Sequence, residues 1–91
     1  MEKRIHVTVS GMVQGVGFRW FVHQRATELK LHGFVRNVPD GRVELEAEGN
    51  AAQLESLLRE VRLGPAGSSV RGIKVEERQV TLAESGFEIR P

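Results

Sequence analysis

Apolar and polar side chains first alternate near the N-terminus, where Ile5, Val7 and Val9 interleave with His6, Thr8 and Ser10. A period of two marks a strand packed on one face and wet on the other. The period then changes. Phe18, Phe21, Val22, Ala26 and Leu29 recur at three- and four-residue spacing, which predicts a helix over about Phe18 to Leu31 with one apolar face laid on a sheet. His23, Gln24, Glu28 and Lys30 take much of its other face. Gly33 stands where a helix stop is wanted, and Phe34 to Val38 reads as the next short strand. The segment Asn37-Val38-Pro39-Asp40-Gly41 carries a proline and an Asp-Gly pair, the chemistry of a hairpin turn, so the strands on either side of it should pair. Val43, Leu45 and Ala47 alternate with Arg42, Glu44, Glu46 and Glu48 along that third strand. Asn50 and Gln53 then resemble a capping box ahead of Leu54, Leu57, Leu58 and Val61 at helical spacing. Gly64 and Pro65 stop this second helix. After a loop at Gly67, Ser68 and Ser69, Ile73 and Val75 mark a fourth strand, and Phe87 and Ile89 a short last one.

The order β-α-β-β-α-β with an extra terminal strand predicts an α+β sandwich: one mostly antiparallel sheet with both helices on a single face. In such a split βαβ unit the first two strands run parallel through a right-handed crossover, and the third fits between them. Their C-terminal ends then share one edge of the sheet. Asn37, near the end of the second strand, is thereby brought close to the loop after the first, although 18 positions separate it from Arg19. The Arg and Glu alternation of the third and fourth strands reads as a solvated sheet face.

Composition narrows this picture. A chain of 91 residues with 40% hydrophobic and 27% charged content is one small domain, 1–91, of ordinary globular type. A formal charge of +1 gives no strong field toward nucleic acid or an acidic membrane, so any anion specificity must be local. The chain has no cysteine, which rules out disulfides, thiolate catalysis and Cys-based metal sites. Its N-terminus lacks the apolar core of a signal peptide, and no apolar run approaches membrane-spanning length. A cytoplasmic monomer with no nucleic-acid or membrane partner is expected.

The candidate chemistry lies in Gly11 to Arg19, GMVQGVGFR, where three glycines fall in seven residues between a strand pattern and a helix pattern. Glycine lets backbone approach a ligand closely, and free N–H groups at a helix start can point at an anion. Arg19 adds a permanent cation. The loop reads as a phosphate cradle, the bland alternative being a tight turn with no ligand. It is not a Walker loop, which needs Lys and then Ser or Thr where this chain has Phe18 and Arg19. It is not a dinucleotide fingerprint either, because no third glycine follows Gly15-Val16-Gly17 at the required place. His6, His23 and His32 lack metal-ligand spacing and read as surface or capping residues, so no metal site is expected. Few aromatics fall on the strands that would display them to bases, which disfavours an RNA-binding sheet. Asn37 is open to two readings, a site residue or a shaper of the hairpin.

Two segments together, Gly11 to Arg19 and Gly33 to Gly49 (GFVRNVPDGRVELEAEG), resemble the signature motifs of the acylphosphatase family, and the likeness extends to length, strand order and the ending Phe87 to Arg90. The resemblance covers nearly the whole chain; only Pro91 departs from the aromatic ending common in the family. It implies a ferredoxin-like fold and hydrolysis of small acyl phosphates to a carboxylate and inorganic phosphate. By the same resemblance Arg19 corresponds to the phosphate-binding arginine and Asn37 to the residue that orients the attacking water. The amides of Gln14, Gly15, Val16, Gly17, Phe18 and Arg19 would hold the phosphate. The chemistry is compatible with that set. An acyl phosphate expels a carboxylate whose conjugate acid has a pKa of about 4 to 5, so the leaving oxygen needs no general acid. Positioning and charge stabilisation carry phosphoryl transfer, and neither a metal nor a cofactor is required.

Overall fold

The computed structural model describes residues 2–91. Its elements are β1 (Glu2–Met12), α1 (Phe18–Glu28), β2 (His32–Asn37), β3 (Val43–Asn50), α2 (Ala51–Leu63), β4 (Ser69–Arg78) and β5 (Phe87–Arg90). They form the ferredoxin-like sandwich with a five-stranded sheet in the order β4-β1-β3-β2-β5. β3 pairs antiparallel with both β1 and β2, and β4 pairs antiparallel with β1. β5 is the one parallel neighbour, set against β2 with Arg90 level with Arg36.

One face of this sheet is apolar because the period-two pattern is in register across it: Val7 lies opposite Leu45, Val9 opposite Val43, and Val35 opposite Leu45. Both helices cover that face. Phe18, Val22 and Ala26 of α1 and Leu54, Leu57, Leu58 and Val61 of α2 are buried with Ile5, Val7, Val9, Val35, Val43, Leu45 and Ala47. Each fully buried large side chain contributes roughly 1.5–3 kcal/mol relative to exposure. Asn50 begins α2 as expected, its Oδ1 accepting the Ala52 N–H at 2.8 Å, while Gln53 is exposed. Gly64 ends α2 with φ 69°. Among the described residues no helix is long and apolar enough to cross a membrane.

Three expectations change. First, α1 stops at Glu28 rather than near Leu31, and the stop is not Gly33. Lys30 takes a left-handed conformation (φ 60°), the Leu31 N–H donates to Ala26 O at 2.9 Å, and the Lys30 N–H donates to Thr27 O at 3.0 Å. This is a Schellman ending in which the burial of Leu31 in the core compensates for the missing glycine. Gly33 instead sits inside β2, where an added Cβ would lie 1.9 Å from Glu46 O.

Second, Gly11 belongs to β1, beside a register shift against β4, and its Cβ would lie 2.1 Å from Ser69 O. Of the three loop glycines, it is there for strand packing. Third, the charged sheet face is not solvated throughout. Arg4 and Glu48 are buried at one end of it, beneath the irregular segment 79–86, which contributes the buried Glu84. The amides of Thr81 and Leu82 donate to the two Glu48 oxygens, at 2.9 and 3.1 Å.

Candidate active site

The sheet order determines what meets at its edge. β1 and β2 run parallel with β3 between them, so their C-terminal ends emerge on the same side, roughly 10 Å apart. β5 runs parallel to β2 and delivers its own C-terminal end there too. The loop from Val13 to Gly17 leaves β1 at this edge, and α1 begins where the loop ends. Gly15 and Gly17 both have left-handed backbones, φ 75° and 76°, and a Cβ on either would meet nothing within 4 Å. Conformation, not crowding, requires glycine at these two positions. Gly17 is the N-cap of α1; it makes no side-chain cap bond, and no acidic side chain occupies the first turn. The backbone N–H groups at that end have no intrahelical partner.

A cleft of about 230 Å3 opens here, lined by Val13, Gly15, Gly17, Phe18, Arg19, Trp20, Asn37 and Ile89. That is below the roughly 300–1,000 Å3 of sites for drug-sized molecules, so it suits a small ligand. Arg19 and Asn37 therefore share one cavity with the two left-handed glycines. Arg19, the second residue of α1, is held by a bond from its Nη1 to the carbonyl oxygen of Arg90 at 3.1 Å. Phe18 beside it is buried in the core, which anchors the first turn. Asn37 is the last residue of β2. The bonds that close the following turn come from the Val38, Gly41 and Arg42 amides, from Asp40 and from Gln14, none of them from the Asn37 carboxamide. Hydrogen bonding from Arg42 also holds the Asp40 carboxyl below its ordinary pKa.

Two members of the expected phosphate-binding set have side chains employed elsewhere. The Gln14 Nε2 donates to Val38 O at 2.7 Å and to Arg42 O at 2.8 Å, stapling the glycine loop to the β2-β3 turn. Val16 packs against the core. The residues that motif reading missed are Val13, Trp20, Ile89 and the Arg90 carbonyl. Trp20 carried a signal, because it is a large apolar side chain off the buried stripe of α1, and it is 55% exposed. Its ring stacks on that of His23 with centroids 5.4 Å apart. The cleft thus combines the polar side chains of Arg19 and Asn37 with apolar lining from Val13, Trp20 and Ile89.

A protein-family model for acylphosphatase matches residues 5–89. The chain belongs to the acylphosphatase family. It is 50% identical over 88 residues to the acylphosphatase of Chlorobaculum tepidum, a match that covers 97% of this chain and 96% of that protein. Among solved structures, the acylphosphatase from Bacillus subtilis superimposes with a TM-score of 0.94 at 41% identity, covering all of both chains. An acylphosphatase from Coxiella burnetii gives 0.93 at 43% identity, over 98% of this chain and 93% of that one. Acylphosphatase activity, the hydrolysis of acyl phosphates, is accordingly the activity of this enzyme.

Proposed function

We propose that the chain hydrolyses small acyl phosphates to a carboxylate and inorganic phosphate with the phosphoryl group held between the Gly15-Gly17 loop and Arg19. In this reading the water is oriented by Asn37 and no metal takes part. The observation that carries it is the shared cleft: a loop with two left-handed glycines, a tethered guanidinium and a carboxamide line one small cavity. Backbone amides from Gln14 to Arg19, the positive end of the α1 dipole and Arg19 supply donors and charge for the equatorial phosphoryl oxygens. Water attacks phosphorus as the bond from phosphorus to the acyl oxygen breaks, and the carboxylate leaves with the electron pair. Asn37 cannot accept a proton at neutral pH, so the water proton passes to a phosphate oxygen. The apolar lining from Val13, Trp20 and Ile89 suits the acyl portion of the substrate.

The test is Arg19→Lys, assayed with acetyl phosphate and by titration with inorganic phosphate. Lysine keeps the charge but loses the planar fork that engages two oxygens at once. Turnover should fall by orders of magnitude and phosphate should bind more weakly in a protein that remains folded. Wild-type turnover in the folded variant would move the phosphate site elsewhere.

A further inference from the structure

Between the sheet and the 79–86 segment lies a charged cluster that the reaction does not use, with Arg4, Glu46 and Glu48 from the sheet and Glu84 from the segment. Arg4 is 3% exposed, yet its guanidinium meets three carboxylates. Its Nε donates to Glu46 at 2.6 Å, and its Nη1 donates to Glu48 at 3.1 Å and Glu84 at 2.9 Å. Its Nη2 completes a fork on Glu84 at 3.2 Å. Burial disfavours every one of these charges, and paired hydrogen bonding is what offsets it. The Arg4 bond holds the Glu84 carboxyl below its ordinary pKa, and Glu84 in turn raises that of Arg4.

The cluster lies immediately upstream of β5. Glu84 precedes that strand by three positions, and its main-chain oxygen accepts from His32 Nδ1 at 2.9 Å. The Gly33 N–H donates to Gly86 O at 3.0 Å, where β5 starts against β2. β5 itself is four residues long and lies at the sheet edge; of its side chains only Phe87 is buried. An element so short depends on its anchors. The Glu84 Oε2 also lies 3.5 Å from Arg90 Nη2, and the Arg90 guanidinium sits 4.1 Å over the Phe34 ring. The Arg90 carbonyl, finally, is the group that holds Arg19.

We propose that Arg4 and Glu84 are positioning residues for Arg19: their buried clasp fixes β5, and β5 carries the carbonyl that keeps the guanidinium at the cleft. The path runs from one end of the sheet to the other through the strand and through the ion pair of Glu84 with Arg90. It rests on the reading of Arg19 as the phosphate ligand. Loosening the clasp leaves every cleft residue in place in the sequence but lets Arg19 sample positions away from the anion, which weakens phosphate and transition-state binding together.

The decisive variant is Glu84→Gln, compared with Leu58→Ala, a core change on α2 remote from β5, and with Arg19→Lys. Inorganic phosphate affinity, and KM and kcat for acetyl phosphate, are measured well below each thermal midpoint. Glu84→Gln should weaken phosphate about tenfold and raise KM, whereas Leu58→Ala should lower the thermal midpoint and leave affinity unchanged. Should Glu84→Gln fail to fold, Arg90→Gln serves in its place. It removes the side-chain link to Glu84 from the surface and should weaken phosphate several-fold. Wild-type affinity in the folded Glu84→Gln protein, or in Arg90→Gln if that variant is needed, overturns the inference. So does an equal loss in Leu58→Ala. If Arg19→Lys also binds phosphate normally, the site reading has failed and the clasp with it; if only Arg19→Lys loses affinity, the clasp alone is refuted.

Discussion

Alanine at Gly15 separates a glycine that shapes a site from one that packs a sheet. The added Cβ would meet nothing within 4 Å, so the stability cost is that of a left-handed backbone, φ 75°, at a residue with a side chain. That cost is roughly 1–2 kcal/mol. In a domain of this size each kcal/mol lowers the thermal midpoint by about 4–8 °C, so a fall of about 4–16 °C is expected. The functional effect should be larger. Gly15 lines the cleft, and a methyl group there would push an anion off at least one backbone donor. A hydrogen bond to a charged group is worth about 1.5–3 kcal/mol, which corresponds to roughly ten- to 150-fold weaker phosphate binding. Gly33→Ala provides the contrast. Its Cβ would lie 1.9 Å from Glu46 O and 2.8 Å from Glu46 C, backbone atoms that can yield only by parting β2 from β3, and no soluble folded protein is expected. Differential scanning calorimetry and phosphate titration, on the same preparation, read both quantities. A folded Gly15→Ala protein with wild-type phosphate affinity would refute the cradle.

Asn37→Ala should lower kcat by about two to three orders of magnitude with phosphate affinity nearly intact, the signature of a contact made mainly in the transition state. A destabilised variant with normal turnover per folded molecule would return Asn37 to the hairpin. Acid should loosen the buried cluster. The Arg4 bond lowers the Glu84 pKa; for Glu48, burial raises it but is outweighed by bonds from Thr81, Arg4 and Leu82. Depressed carboxyl pKa values give stability that is complete above the unfolded value of 4.5 and lost as pH falls through the lower folded values. Between pH 5 and about 3 the thermal midpoint of wild type should therefore drop more steeply than that of Glu84→Gln; parallel curves would contradict the assignment. Chelation should leave acetyl phosphate turnover unchanged, since Arg19 and backbone amides provide the positive charge in this mechanism; loss on chelation with recovery on adding a divalent ion would sink it.

The elements that local pattern can specify were legible in the chain. The alternation at Ile5, Val7 and Val9, the spacing from Phe18 to Leu29 and the Asn50 cap all describe interactions within a few residues, and each formed as read, with an end shifted where packing intervened. The helix stop moved from Gly33 to Lys30 because burying Leu31 in the core outweighs the cost of a left-handed lysine, a balance no single position displays. Arg19 and Asn37 were legible as a pair because strand order alone brings the ends of β1 and β2 together. The placement of β5 was not: a four-residue strand carries too little pattern to name its neighbour, and only its parallel pairing with β2 brings the Arg90 carbonyl to Arg19. The buried cluster was hidden for a related reason. Arg4 and Glu48 look like solvated residues in alternating sequences and Glu84 like a loop residue, and only the return of segment 79–86 across the sheet takes them out of water and makes their charges depend on one another.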